Sequence, residues 1–164
     1  MKYLALIFFF TITGCGKVVS REPVVSQYPH LLSAAAMVGL DERVNRSELK
    51  RFTGVDPVQI EWCAAFVNAI LNLHDIPGSE SVSDYPLTAR SFLKWGTNVD
   101  VPKKGDIVVF PRGNSSWQGH VGFYVETRTI SEIDYYVILG GNQDNKVSFE
   151  LYPAYKAIAI RRHY

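Results

Sequence analysis

The sequence changes character near Gly96, and this change limits the possible folds more than any other feature. Before Gly96, apolar residues recur at helical spacing, most clearly in residues 62–73. After it, short runs rich in β-branched and aromatic residues alternate with glycine, proline, asparagine and aspartate, which is typical of strands and turns. Helices followed by strands favour an α+β domain, in which N-terminal helices pack on a mainly antiparallel sheet of about five strands.

Spacing and turn residues assign the individual elements. Helices are predicted at residues 31–38, 45–52, 62–73 and 86–95. Strands are predicted at residues 107–110, 121–125, 135–139, 147–151 and 157–160. Ser47 is a candidate cap for the second helix, and Gly39, Gly54 and Gly96 are candidate helix ends.

The composition is that of a single globular domain. The chain has 164 residues, of which 47% are hydrophobic and 20% are charged, so it can bury a sizeable core. Lys and Arg number 17 against 16 Asp and Glu, so the basic excess typical of nucleic-acid-binding proteins is missing. The cysteines and histidines lack metal-ligand spacing. We therefore expect no cofactor, no metal and no nucleic acid partner, and we expect the chain to be a monomer.

Residues 1–14 have the pattern of a secretion signal. Lys2 precedes an apolar run at residues 4–12, which is far shorter than the roughly 20 residues needed to cross a bilayer. The segment that follows, Ile12-Thr13-Gly14-Cys15, resembles the lipoprotein box of bacterial lipoproteins. That resemblance implies cleavage before Cys15 and attachment of lipid to this residue. The alternative is a short apolar N-terminus with an incidental cysteine.

This interpretation divides the chain into three segments. Residues 1–14 are the signal peptide, residues 15–28 are the lipidated cysteine and a polar tether, and residues 29–164 are the folded domain. We expect an exported lipoprotein, held at the periplasmic face of a bacterial membrane with the lipid bilayer as a partner. Without residues 1–14 the basic and acidic residues balance, so anchoring would depend on lipid rather than on a basic patch.

Cys63 is a candidate nucleophile. If Cys15 carries lipid, Cys63 has no partner for an internal disulfide, because the chain has only two cysteines. It lies at the start of the strongest helical stripe, where free N–H groups and the helix dipole favour a thiolate. It also lies just off the apolar stripe, so we expect it to face a cleft. The alternative is a small residue buried in the core.

His120 and Asn142 are candidates to assist Cys63. His74 ends the cysteine helix, roughly 16 Å away at the helical rise, which is too far for pairing. His120 begins a predicted strand between two glycines, where another group can approach closely. Asn142 ends the next strand, so its side-chain oxygen would orient the His120 ring if the two strands form a hairpin. The alternatives are a structural histidine and a turn asparagine.

Five blocks of sequence occur in a characteristic order. They are WCAAFVN at 62–68, ARSFLKWG at 89–96, GDIVVF at 105–110, GHVGFY at 119–124 and LGGNQ at 139–143. Together they resemble the CHAP and NlpC-type papain-like cysteine amidohydrolases. The resemblance implies cleavage of an amide bond in peptidoglycan, with Cys63 as nucleophile, His120 as base and Asn142 as third member. Many CHAP members carry an acidic residue two positions before that asparagine, where this chain has Gly140.

Other residues are candidates for binding the substrate. The backbone N–H of Cys63 is a candidate oxyanion donor, and Gln59 or Glu61 is a candidate second group, since papain-like enzymes use a polar residue upstream of the cysteine. Trp62 is a candidate substrate contact, although its helical position also fits the core. Trp117, in a Gly- and Ser-rich loop before His120, is a further candidate.

Two other functions fit the same residues. One is a non-catalytic lipoprotein that binds peptidoglycan through the same fold. The other is a cysteine hydrolase of a different amide, such as a protein. The sequence leaves the cleaved bond of peptidoglycan open between an amidase and an endopeptidase.

Overall fold

A computed structural model describes residues 27–164, so the predicted signal peptide, Cys15 and most of the predicted tether lie outside the described residues. The α-helices of this part are α1 Pro29–Ala35, α2 Arg46–Thr53 and α3 Cys63–Asn72. Short 3-10 helices are formed by Ser79–Ser81, Ala89–Lys94 and Ala154–Lys156. The strands are β1 Thr97–Asn98, β2 Ile107–Pro111, β3 Gly119–Ile130, β4 Ile133–Gln143, β5 Lys146–Pro153 and β6 Ala159–Arg162.

The strands form one antiparallel sheet in the order β1-β6-β2-β3-β4-β5. The predicted α+β class with N-terminal helices and an antiparallel sheet is therefore confirmed. The sheet has six strands rather than about five. The additional strand, β1, has two exposed residues and therefore leaves no alternating pattern in the sequence.

Helix α3 is the central element of the core. Most of its residues are buried, and it lies against β3 and β4 on one face of the sheet. The largest fully buried side chains in this layer include Trp62, Phe66 and Phe123. Gly141 on β4 lets the helix approach closely, because a Cβ there would collide with the side chains of Trp62 and Phe66. The packing of α3 on the sheet places its N-terminus above the strands that carry the candidate site.

Local hydrogen bonds explain where the helices depart from the predicted bounds. Residues 86–95 were expected to form an α-helix, but only Ala89–Lys94 is helical, and it is a 3-10 helix. There the Ser91 hydroxyl bonds to the carbonyl of Thr88 and to the Ser79 hydroxyl, and such side-chain bonds compete with α-helical ones. Ser47 lies inside α2 and does not cap it. Gly54 ends α2 as predicted, in the left-handed conformation at φ +76°.

The remaining elements fit the predicted positions within a few residues. Strands β3 and β4 extend well beyond their predicted bounds, to 12 and 11 residues, and form a long hairpin. Within residues 27–164, no helix combines the length and apolar character required to cross a membrane.

Candidate active site

Cys63 is the first residue of α3 and is 6% exposed, so it is buried and does not face an open cleft as expected. Its sulfur accepts hydrogen bonds from the backbone N–H groups of Val121 and Ala64. Burial raises the pKa of the Cys63 thiol, and the two N–H groups lower it in part. The cysteine is free and buried, and its raised pKa keeps it a neutral thiol before substrate binds.

The bond from Val121 places the thiol beside the chain segment that carries His120. His120 is the second residue of β3 and pairs with Phe110 of β2. Its ring stacks on Tyr152 of β5, with centroids 5.2 Å apart and an angle of 12° between the planes. Burial lowers the pKa of His120 to about 4, so the imidazole is neutral at neutral pH and can accept a proton.

Gln143, the last residue of β4, is the hydrogen-bond partner of the His120 ring. The distance between His120 Nε2 and Gln143 Oε1 is 3.0 Å. The amide nitrogen of Gln143 donates to the carbonyl of Ser148 at 2.6 Å, which requires the amide oxygen to face the histidine. An amide oxygen only accepts, so Nε2 carries the ring proton and Nδ1 keeps its lone pair. This tautomer is the one in which Nδ1 is able to take a proton from a thiol.

Asn142 does not take the position that was expected for it. Its side-chain nitrogen donates to Glu61 Oε2 at 2.7 Å, away from His120. The pairing of β4 with β5 slips between Gly140 and Gln143, and Asn142 has a left-handed backbone at φ +58°. The slip breaks the usual alternation of side chains along a strand. As a result, the residue after Asn142 turns towards the histidine in its place.

Gly140 lies against the same edge of the His120 ring. A Cβ at this position would be 3.4 Å from His120 Nε2 and from Gln143 Oε1. The position at which many CHAP members carry an acidic residue therefore borders the nitrogen that Gln143 bonds in this chain. Gln143 occupies the space that a longer side chain at Gly140 would need.

Glu61 joins two residues at the rim of the site. Its Oε2 accepts a hydrogen bond from Arg112 Nη1 at 2.6 Å as well as the one from Asn142. The charge of Arg112 lowers the pKa values of Cys63 and His120, and the charge of Glu61 raises both. A carboxylate only accepts hydrogen bonds, so the geometry does not fit Glu61 as an oxyanion donor.

The other predicted substrate contacts are distributed differently. Gln59 is exposed and lines a depression of about 190 Å³ together with Glu61 and Asn142. Trp62 is fully buried and its indole N–H donates to Glu42, so it supports the core instead of contacting substrate. Trp117 is 66% exposed and lines a groove of about 510 Å³, consistent with a position open to ligands.

Sequence reasoning missed three residues of this site. They are Gln143, Tyr152 and Arg112. Gln143 is part of the LGGNQ block, but strand alternation alone favours Asn142 over it. Tyr152 and Arg112 leave no local signal, because they reach the site only through the pairing of β4 with β5 and of β2 with β3. Within residues 27–164 there is no group of three His, Cys, Asp or Glu side chains that could hold a metal ion.

Comparison with known proteins places the chain in a family. A family model of the CHAP domain matches residues 55–142, which is more than half of the chain and includes Cys63, His120 and Asn142. No curated protein and no solved structure matched the chain. CHAP domains are typically cysteine amidase or peptidase domains, and the family suggests peptidoglycan hydrolase activity in general. The chain belongs to the CHAP domain family.

Proposed function

We propose that this protein hydrolyses an amide bond of peptidoglycan, as an amidase or an endopeptidase, with Cys63 as nucleophile, His120 as base and Gln143 as the residue that orients the base. The observation that carries the proposal is that neighbouring residues of β3 serve the two groups: His120 is held by Gln143, and the backbone N–H of Val121 bonds to the Cys63 sulfur. Gln143 sets the tautomer of the ring, and the N–H of Val121, next to His120, holds the sulfur. This differs from the Cys-His-Asn set in the third member only.

The chemistry follows the general scheme for a thiol nucleophile. Nδ1 of His120 takes the thiol proton as the sulfur attacks the carbonyl carbon, and the carbonyl oxygen becomes an oxyanion. The N–H of Cys63, in the first turn of α3, is free of helical bonding and is the candidate donor to this oxygen. The imidazolium gives its proton to the leaving amine, which leaves a thioester. A water molecule, deprotonated by His120, attacks the thioester and releases the carboxylic acid and the thiol.

The resting charges suit this order of events. Burial raises the thiol pKa and lowers the imidazole pKa, so the two groups are neutral before substrate binds. A neutral imidazole has the lone pair that a base requires, and its conjugate acid then protonates the amine. Gln143 supports both steps, because its amide oxygen also accepts from the charged ring.

The test compares the purified protein with Cys63→Ala on isolated sacculi and on muropeptides. We expect the native protein to release products with new amine and carboxyl ends, which mass spectrometry assigns to one bond. We expect Cys63→Ala to release none, and a thiol reagent to abolish the activity of the native protein. Products from Cys63→Ala would refute the nucleophile. Binding of sacculi without any product would support the non-catalytic alternative, and cleavage of unrelated peptides alone would support a different amide substrate.

We also propose that Cys15 carries lipid and holds the domain at the bacterial envelope. The support is the apolar segment at residues 4–12, followed by Thr13-Gly14-Cys15. Expression of the native chain and of Cys15→Ser in bacteria, followed by membrane fractionation and mass measurement, tests this. We expect the native protein in the membrane fraction with an acylated N-terminus, and Cys15→Ser without lipid. An unmodified native N-terminus at Met1 would contradict the proposal.

A further inference from the structure

Arg112 lies at the rim of the proposed active site with its guanidinium accessible to solvent. It follows β2 directly, at the end of the β2–β3 hairpin where Phe110 pairs with His120. Its side chain is 55% exposed and bonds to Glu61, two residues before Cys63. The rim therefore presents one cation next to the nucleophile and the base.

The ion pair between Arg112 and Glu61 is weak enough for another anion to replace Glu61. The Arg112–Glu61 pair is 2.6 Å long, but both side chains are more than half exposed, and exposed ion pairs contribute little stability. Glu61 keeps a second partner, Asn142, if Arg112 moves to another anion. Another carboxylate can thus replace Glu61 on the guanidinium without leaving Glu61 unpaired.

The charges of Arg112 and Glu61 reach the reacting groups. Arg112 lowers the pKa values of the Cys63 thiol and the His120 imidazole, and Glu61 opposes both effects. Because Arg112 bonds to Glu61, two residues before Cys63, and lies two residues after Phe110, which pairs with His120, a ligand group bound to Arg112 lies beside the reacting groups. Guanidinium groups bind carboxylates through two parallel hydrogen bonds, which fixes both the position and the orientation of the ligand.

We propose that Arg112 is a specificity-determining residue that binds a free carboxylate of the peptidoglycan stem peptide beside the cleaved bond, with that carboxylate replacing Glu61. The inference rests on the proposed function and names the part of the substrate that the site recognises. Stem peptides carry free carboxylates, and conversion of such a group to a carboxamide removes the charge that a guanidinium binds. The protein accordingly prefers stem peptides with a free carboxylate next to the cleaved bond over amidated ones.

The experiment measures kcat/KM on two stem peptides that differ only in one carboxylate or carboxamide next to the cleaved bond. The readout is the ratio of the two values, because the influence of Arg112 on Cys63 and His120 acts on both substrates alike. We expect the native protein to favour the carboxylate and Arg112→Gln to lower the ratio about 10-fold or more, because the variant loses the charge-assisted hydrogen bonds of the guanidinium. We expect Glu61→Gln, which frees Arg112 from its competitor, to keep or raise the ratio.

Arg128→Gln is the matched control, since Arg128 is 59% exposed and paired with Glu126 at 2.7 Å on the distant part of β3. We expect the kcat/KM ratio of Arg128→Gln to equal that of the native protein. An unchanged ratio of kcat/KM in Arg112→Gln, or an equal decrease of this ratio in Arg112→Gln and Glu61→Gln, would show that Arg112 only anchors Glu61. Either result would overturn this inference and leave the proposed function standing. A native protein that cleaves neither peptide nor any sacculus would overturn the proposed function and the inference with it.

Discussion

The hydrogen bond between Gln143 and His120 determines which nitrogen of the imidazole carries the proton. The Gln143 amide is itself oriented by the carbonyl of Ser148, so the ring proton sits on Nε2. Tyr152 stacks on the ring and on Phe110, with centroids 5.2 and 4.6 Å apart, which restrains rotation of the imidazole. One amide and one aromatic ring thus hold the histidine in a single tautomer and orientation.

Replacement of Gln143 tests this role at the level of one residue. We expect Gln143→Ala to lower kcat roughly 100-fold, because the base loses its fixed tautomer and orientation. Gln143→Glu keeps an acceptor and adds a charge, so we expect partial activity and an acidic limb of the pH–rate profile at higher pH. Asn142→Ala is the control and should retain most of kcat, since Asn142 bonds to Glu61. A larger loss in Asn142→Ala than in Gln143→Ala would contradict the assignment.

The shifted pKa of His120 also makes stability depend on pH. The imidazole has a pKa of about 4 in the folded protein against 6.5 in its ordinary state. Between these values the unfolded chain binds a proton that the folded protein does not, so the free energy of unfolding falls as pH falls through the window. We expect His120→Gln to show a smaller decrease between pH 6.5 and pH 4 than the native protein, measured by urea unfolding.

The comparison requires a control because burial also lowers the pKa of His30, which acts in the same direction. Only the difference between the native protein and His120→Gln reports on His120. Identical curves for His120→Gln and the native protein would show that His120 is not buried as a neutral ring.

At the scale of elements, the end of β4 explains how the site is assembled. The slip of register between Gly140 and Gln143 lets consecutive side chains of one short segment point to different parts of the site. Asn142 faces the rim and Gln143 faces the histidine, while Gly141 lies under α3 against Trp62 and Phe66. The position of α3, and with it the position of the thiol, therefore depends on a glycine in the adjacent strand.

The neighbouring glycines allow a paired test of this packing. A methyl group at Gly141 would overlap Trp62 and Phe66, so we expect Gly141→Ala to lower the free energy of unfolding by about 1 to 3 kcal/mol and to reduce activity. Gly140→Ala is the matched variant. Its added methyl group would lie 3.4 Å from the nearest atoms, which is ordinary contact, so we expect a smaller decrease in the free energy of unfolding. Chemical denaturation of both variants gives the comparison. Equal stability of the two would show that α3 can shift without cost.

At the scale of the whole molecule, strand β6 links the two ends of the described sequence of strands. It lies between β1 and β2 in the sheet and pairs with both of them. Arg162 on this strand binds the buried Asp106 before β2 through two bonds of 2.8 and 2.7 Å. Asp106 also accepts the backbone N–H of Lys103 at 2.6 Å, so one carboxylate joins a turn to the final strand.

Loss of this link should weaken the domain without changing the site directly. We expect Asp106→Asn to lower the free energy of unfolding by about 2 kcal/mol, because the largely covered guanidinium of Arg162 loses its charged acceptor. Glu126→Gln is the control, because it removes an exposed ion pair with Arg128 and should change stability by less than about 1 kcal/mol. Urea unfolding measures both. Equal effects would show that the link between Asp106 and Arg162 contributes no more than a surface pair.

Local patterns in the sequence were sufficient for the class of fold and for the positions of two candidate site residues within its elements. The apolar spacing of residues 62–73 places Cys63 at a helix start, and the alternation after Gly96 places His120 at the start of a strand. Both patterns depend only on residues that are neighbours along the chain, so the sequence is sufficient to predict them. The signal peptide and the lipid on Cys15 lie outside the described residues and stay predictions.

The sequence by itself thus determined the α+β class, the position of the thiol at the start of α3 and the position of His120 at the start of β3. Only the tertiary structure decided that Gln143 orients the ring, since a register slip of β4 against β5 cancels the alternation that favours Asn142. It also decided that Tyr152 stacks on the histidine and that Arg112 and Glu61 share the rim. These contacts join residues that are distant in sequence, and their geometry depends on strand pairing, which local propensity does not specify.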